Sequence, residues 1–232
     1  MSTDSSRPSL APYIQHTLID AGVDAASIDR HCDECRRYGF DAAMVPACWV
    51  PRVKQRLTGT RIKVASAVDF PFGAMTTRGK VAEIQALVDL GVDEIDVGVQ
   101  ISALRSGDKS AYADDLSAIV AAAGAVPLKV MLELPLLDSD QREQAVEIAV
   151  SAGVAYLKNA SSGKVGRATP EEIRFLRDRA PAGVGVKGSG GINTAEHARR
   201  LLDAGADLVG TSNGVALVTR SPTSPKATAS DY

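Results

Sequence analysis

The chain has 232 residues, 45% hydrophobic and 4% aromatic, with 26 basic against 28 acidic side chains and a formal net charge of -2. That length and apolar fraction suffice for one large α/β barrel or for two smaller domains. The near-neutral balance speaks against nonspecific binding to nucleic acid or to an anionic membrane surface, and no apolar run approaches a membrane span.

In chain order, the opening MSTDSSRPSL has no basic stretch followed by an apolar one, so it does not read as a secretory signal. Residues 1–9 are expected to be a disordered arm and residues 219–232, rich in Ser, Thr and Pro, a disordered tail. That leaves 10–218 as a single domain, in the cytoplasm. Apolar runs of strand length fall at 13–19, 41–45, 62–68, 94–99, 128–132, 155–158, 184–187 and 207–210. Between them the apolar residues take helical spacing. In VAEIQALVDLG, Val81, Ile84, Leu87, Val88 and Leu90 share a face and Gly91 ends the helix; QREQAVEIAVSAG ends at Gly153 and AEHARRLLDAG at Gly205. Helix starts are marked by Thr169-Pro170-Glu171-Glu172, by Asp138 with Gln141 and by Asn193 with Glu196. Three cysteines, Cys32, Cys35 and Cys48, cannot form a paired disulfide framework. The segment HCDEC (31–35) falls in an expected helix without a second ligand pair elsewhere, so no metal is expected there.

Eight strand–helix alternations without a composition break predict a single (β/α)8 TIM barrel. An open doubly wound sheet would ordinarily show a Gly-rich fingerprint after its first strand, and none is present. In a barrel the C-terminal strand ends gather at one face, where the loops build a site.

Two lysines stand out there. Lys158 ends the sixth run and opens NASSGKVG; Lys187 ends the seventh and opens GSGG. Desolvation and a neighbouring cation both lower an amine's pKa, giving the neutral nucleophile that Schiff-base chemistry requires. In the fourth run, Asp96 shares its parity with Glu94, and an interior carboxylate needs a cationic partner. Lys129 and Glu133, also of one parity, are expected to form a structural pair. The loops after the seventh and eighth runs carry Gly190, Gly191, Gly210, Ser212 and Asn213, whose backbone N–H groups suit a phosphate. Gly163, Lys164 and Arg167, after Lys158, would add to the same anion site. The same residues also fit a phosphate-binding isomerase or synthase working without a covalent step, or a noncatalytic barrel that binds a phosphorylated metabolite.

The stretches QHTLID, KVASAVDFPFGAMTT, GVDEIDVGVQISALRSGD, LKVMLEL, AGVAYLKNASSG and VKGSGGINTAEHARRLLDAGADLVGTSNGVAL resemble the class I deoxyribose-phosphate aldolases, from about Ile14 to Leu217. The resemblance implies a lyase of deoxyribonucleotide and carbohydrate catabolism that needs no cofactor. It would reversibly cleave 2-deoxyribose 5-phosphate to glyceraldehyde 3-phosphate and acetaldehyde. Lys158 would be the Schiff-base lysine, Lys187 the lysine that tunes it and Asp96 the proton carrier; Gly190, Gly191 and Ser212 would hold the phosphate. Independently of the resemblance, a homodimer is the default expectation for such a barrel. Several positions depart from the family pattern. Gln15 stands where the family commonly has aspartate before His-Thr-Leu, Met44 where it usually has cysteine and Pro46 where it often has asparagine. The glycine of the loop after Lys158 is displaced by one residue, Gly98 and Gln100 replace a larger and a shorter residue, and Leu134-Pro135 replaces a Thr-Cys pair. With Gln15, Met44, Gln100 and Lys129 as pocket candidates, these departures suit either retained enamine chemistry with a changed donor or acceptor or ordinary drift within a divergent aldolase.

Overall fold

The computed structural model describes residues 8–219. The expected arm and tail lie outside them except at their inner ends: Pro8 O accepts from Arg199 Nη1 at 3.1 Å, and Thr219 is helical. Among the described residues, eight strands form one closed barrel: β1 (Ile14–Thr17), β2 (Ala42–Val45), β3 (Lys63–Val68), β4 (Glu94–Gly98), β5 (Leu128–Met131), β6 (Tyr156–Lys158), β7 (Gly185–Ser189) and β8 (Leu208–Thr211). All neighbours are parallel, and β8 returns to β1. The helices are α1 (Ala25–Tyr38), α2 (Val50–Arg56), α3 (Thr77–Asp89), α4 (Ile101–Arg105), α5 (Lys109–Ala123), α6 (Ser139–Ala152), α7 (Pro170–Arg179), α8 (Ala195–Asp203) and α9 (Gly214–Thr219). No helix among the described residues is long and apolar enough to cross a membrane.

Every expected strand is present. One boundary matters: β7 runs two residues past Lys187, because Gly188 and Ser189 continue the ladder opposite Val209 and Gly210. Lys187 is therefore an interior strand residue, level with Lys158 across the β6–β7 pair.

Strand alternation divides the buried residues into two layers. Ile14, Val45, Ile95, Val130, Leu157 and Val186 belong to the apolar layer shared with the helices. Each such side chain contributes about 1.5–3 kcal/mol of burial, which offsets the cost of what lies on the other side of the sheet. There, beside a small apolar cluster of Ala42, Met44 and Ala65, the barrel holds Gln15, Glu94, Asp96, Lys129, Lys158 and Lys187, none more than 4% exposed. A barrel interior is ordinarily filled by Val, Ile and Leu. This one is filled by charge.

The helix starts follow the expected signals with two corrections. Asp138 and Gln141 form a reciprocal capping box. Thr169 caps α7 by accepting from Glu172 N, but the Glu172 carboxylate turns away from the cap to accept from Asn159 Nδ2 at 3.0 Å. Thr194, not Asn193, caps α8; Asn193 Oδ1 is already occupied, accepting from Asn213 Nδ2 at 2.8 Å. The expected Lys129–Glu133 pair does not form either. The strand ends at Met131, and Glu133 takes a left-handed conformation (φ 50°) that breaks the alternation.

On the helix side of β1, buried His16 and His31 stack with ring centroids 4.4 Å apart. Burial, then the neighbouring His16, lowers the His31 pKa to about 3 from its ordinary 6.5. Between those values the unfolded chain binds a proton that the folded one does not, so stability falls as pH drops from about 6.5 to about 3. Urea midpoints at pH 7, 5 and 4 are expected to fall faster for the wild type than for His31→Leu. The difference reaches up to about 1.4 kcal/mol per pH unit; parallel slopes would mean His31 titrates normally.

Candidate active site

Lys158, Lys187 and Asp96 meet although they come from β6, β7 and β4. Asp96 Oδ2 accepts from Lys158 Nζ at 2.8 Å and from Lys187 Nζ at 2.6 Å. One carboxylate oxygen thus bridges two amines, while Asp96 Oδ1 has no hydrogen-bond partner. Lys129 Nζ lies 3.5 Å from that second oxygen and 2.6 Å from Glu94 Oε2.

The electrostatics follow from this crowding. Burial raises the Asp96 pKa, but Lys158, Lys187 and Lys129 outweigh it and hold the carboxyl well below the usual range. Burial dominates at Lys187 and lowers its pKa to about 7; Asp96 opposes this, while Lys158 and Lys129 add to it. A lysine amine that loses its proton near neutrality can pass protons at working pH.

Above this cluster opens a cavity whose floor is Lys158, Lys187 and Asp96. Gly190, Gly191, Gly210, Ser212 and Asn213, after β7 and at β8, line one part of it; Leu18, Ile19, Met44, Ala67 and Phe70, from β1 to β3 and their loops, line the adjoining apolar part. Phe70 is there because Gly98 has no side chain. A Cβ on Gly98 would lie 2.6 Å from Asp69 O and 2.9 Å from Gly73 Cα, so the loop after β3 folds down against β4.

The glycine side is built by backbone contact between two loops. Gly190 (φ 112°) would place a Cβ 2.4 Å from Gly166 O, and a Cβ on Gly163 would lie 3.1 Å from Gly191 N. A side chain at position 190 is therefore both strained and blocked. Gly190→Ala is expected to raise KM for a phosphorylated substrate at least about tenfold, with little change in labelling of Lys158 by a small aldehyde. An unchanged KM would mean that this loop does not hold the anion.

The loop after β6 is clamped at several points. Ser189 N donates to Asn159 Oδ1 at 2.8 Å, and Ser161 N donates to Glu133 Oε1 at 2.9 Å and Oε2 at 3.1 Å. Burial raises the Glu133 pKa against these hydrogen bonds. Glu133, Asn159 and Glu172 were not singled out as loop anchors by sequence. Glu172 carried only a capping signal, and nothing local distinguishes Glu133.

The remaining candidates divide. Gln15 and Lys129 are fully buried beneath the cavity and do not line it. Gln100 is outside it, donating to Met75 O at 3.3 Å and Thr77 Oγ1 at 3.1 Å. Lys164 and Arg167 are not in the cavity wall; Arg167 Nη2 lies 3.3 Å from His197 Nδ1. Among the described residues, His16, His31 and Glu34 have the composition of a metal site, with ligand atoms within 4.8 Å of one another. The two imidazoles stack at an interplanar angle of 22°, so their in-plane lone pairs do not converge on a common ion. Cys32 and Cys35, on the same helix, are free buried thiols; burial raises the Cys32 pKa to about 11 and that of Cys35 further.

A family profile described as DeoC/LacD family aldolase matches residues 21–220. The deoxyribose-phosphate aldolase of Brevibacillus brevis is 37% identical over 211 residues, covering 91% of this chain and 96% of its own. That of Thermosynechococcus vestitus is 40% identical over 209 residues, covering 90% and 95%. Among solved structures, the tetrameric deoxyribose phosphate aldolase of Aeropyrum pernix superposes with a TM-score of 0.81 at 28% identity, covering 90% of this chain and 89% of that one.

Proposed function

The chain belongs to the DeoC/LacD aldolase family and is a class I aldolase, and we propose that it cleaves and forms 2-deoxyribose 5-phosphate through a Schiff base on Lys158. The observation that carries this reading is the Asp96 oxygen shared by two buried amines at the floor of a glycine-walled cavity.

In the cleavage direction, the neutral Lys158 amine adds to the C1 carbonyl of the open-chain sugar. The resulting carbinolamine loses water and becomes an iminium. Removal of the C3 hydroxyl proton breaks the C2–C3 bond, and the electron pair moves into the iminium to give an enamine. Glyceraldehyde 3-phosphate leaves. Protonation of the enamine carbon and addition of water then release acetaldehyde and the free amine. Asp96 and Lys187 carry these protons, through water where they do not reach, and Lys187 exchanges its own near pH 7. In this reading the phosphate rests on the N–H groups of Gly190, Gly191 and Ser212, with Gly163 beside them, while Asn213 N donates to Thr211 Oγ1 at 3.0 Å.

A second reading is favoured by Ile19, Met44, Ala67 and Phe70, apolar side chains in the cavity lining beside the polar Thr17 and Asp20. It keeps the enamine and changes the acceptor. Intact-protein mass after acetaldehyde and borohydride, with peptide mapping, tests the shared core of both. One reduced adduct on Lys158 is expected; scattered or absent labelling across aldehyde and ketone donors would favour a noncovalent isomerase or synthase. A panel of acceptors with and without phosphate then separates the two aldolase readings.

One barrel domain over 10–218 carries this chemistry in the proposal. Free Cys32, Cys35 and Cys48 fit a cytoplasmic location. A homodimer is proposed on the general preference for two-fold assemblies; light scattering distinguishes it from the tetramer described for the Aeropyrum pernix enzyme.

A further inference from the structure

We propose that Gln15 is a positioning residue that leaves the barrel interior one carboxylate short and so obliges one of Lys158 and Lys187 to give up its proton. The inference rests on Lys158 as the nucleophile and explains how a neutral amine arises in the cluster.

Gln15 is fully buried and closes a ring of side chains. Its Oε1 accepts from Lys187 Nζ at 2.6 Å; its Nε2 donates to Glu94 Oε2 at 2.6 Å and to Asp41 Oδ2 at 2.9 Å. Glu94 pairs with Lys129, Lys129 faces Asp96, and Asp96 returns to Lys187. The two carboxylates on the amide nitrogen fix the orientation of the amide, because only an NH2 group satisfies both. Its carbonyl is thereby aimed at Lys187.

The charges in the connected cluster do not balance. In direct contact, the amines of Lys63, Lys129, Lys158 and Lys187 face the carboxylates of Asp41, Glu94 and Asp96; Glu133, from the loop after β5, also acts on Lys158 but forms no ion pair with it, both its oxygens accepting from Ser161 N. Lys63 takes both Asp41, at 3.1 Å, and Glu94, at 2.8 Å, while Lys129 also takes Glu94. Lys158 and Lys187 are left with one Asp96 oxygen between them. An unpaired charge in a dry interior is costly, and shedding a proton removes it.

Among the described residues, Lys187 is ion-paired with no carboxylate other than Asp96. Facing it are Gln15 on β1, Asp96 on β4, Lys129 on β5, Lys158 on β6 and, on β8, Gly210, where a Cβ would lie 3.0 Å from Lys187 Cε. With its two protons donated to Asp96 and Gln15, a neutral Lys187 keeps its lone pair free for a third direction. The lowered pKa of Lys187 agrees with this arrangement.

Gln15→Asp and Gln15→Asn differ in charge and hardly in shape. The rate of Lys158 labelling by acetaldehyde and borohydride, and kcat, are measured against pH for both. The rising limb of Gln15→Asp is expected at least about one pH unit above that of Gln15→Asn, a tenfold difference in labelling on the limb, with recovery at high pH. Coincident limbs would overturn the proposal. Lys129→Met tests the same balance from the other side by removing a cation, and its limb is also expected to move up. If Gln15→Asp does not fold, an unmoved limb in Lys129→Met overturns the proposal alone. Failure of the wild type to label at any pH would instead remove the Schiff-base reading itself.

Discussion

Alanine in place of Lys158 is expected to lower aldol cleavage by roughly four orders of magnitude or more while the barrel still folds. The loss is large because the amine that remains at the cavity floor is a poorer nucleophile: without Lys158, the Asp96 oxygen serves Lys187 alone, which favours its ammonium form. Lys187 Nζ donates both to Asp96 and to Gln15, and Lys129 is paired with Glu94 beneath the cavity. The fold survives because Asp96 is not stranded: Lys187 still donates to it at 2.6 Å and Lys129 remains 3.5 Å away. Breaking a buried pair costs about 3–5 kcal/mol only when the remaining charge is left uncompensated. Turnover, borohydride labelling and urea unfolding of the variant together check this. A folded protein with normal turnover would end the assignment of Lys158.

Replacing Lys187 by leucine is expected to lower kcat by about 10^2–10^4-fold, the usual contribution of a positioned acid–base group. It is also expected to move the rising limb of the pH–rate profile upward. The sign follows from the charges: a like charge lowers an amine's pKa and an opposite charge raises it. In the wild type one Asp96 oxygen serves two amines; in the variant it serves Lys158 alone, which favours the ammonium form. Rates across pH 6–10 read both effects. A lower kcat with an unmoved limb would make Lys187 a proton carrier that does not tune its neighbour.

Strand order and the principal lysines were legible because a lysine ending an apolar run is a local signal, repeated here at two corresponding places. The end of β7 was less so: Gly188 and Ser189 have turn composition, yet pairing with β8 holds them in the ladder. Glu133 shows the opposite failure. Its parity with Lys129 is real in sequence, and a left-handed residue just past the strand end cancels it. Glu172 carried a capping signal that describes its backbone, while its carboxylate serves Asn159 in a different loop. Gln15 was recognisable as a departure from the family pattern. Its position beneath the cavity, between Lys187 and two carboxylates, depends on pairings far apart in the chain.

That last separation bears on how the protein acquires its chemistry. Gln15 and Lys187 are 172 residues apart, and they meet because β1 closes against β8. Helices form from local contacts, whereas this closure bears the loop entropy of almost the whole chain and belongs to the slow, high-contact-order part of folding. A chain emerging during synthesis can hold much of its helical structure while its lysines are still ordinary surface amines. Before closure, Lys158 and Lys187 lack the shared Asp96 oxygen and the Gln15 carbonyl, so the arrangement that sets their chemistry arrives only with the closed barrel.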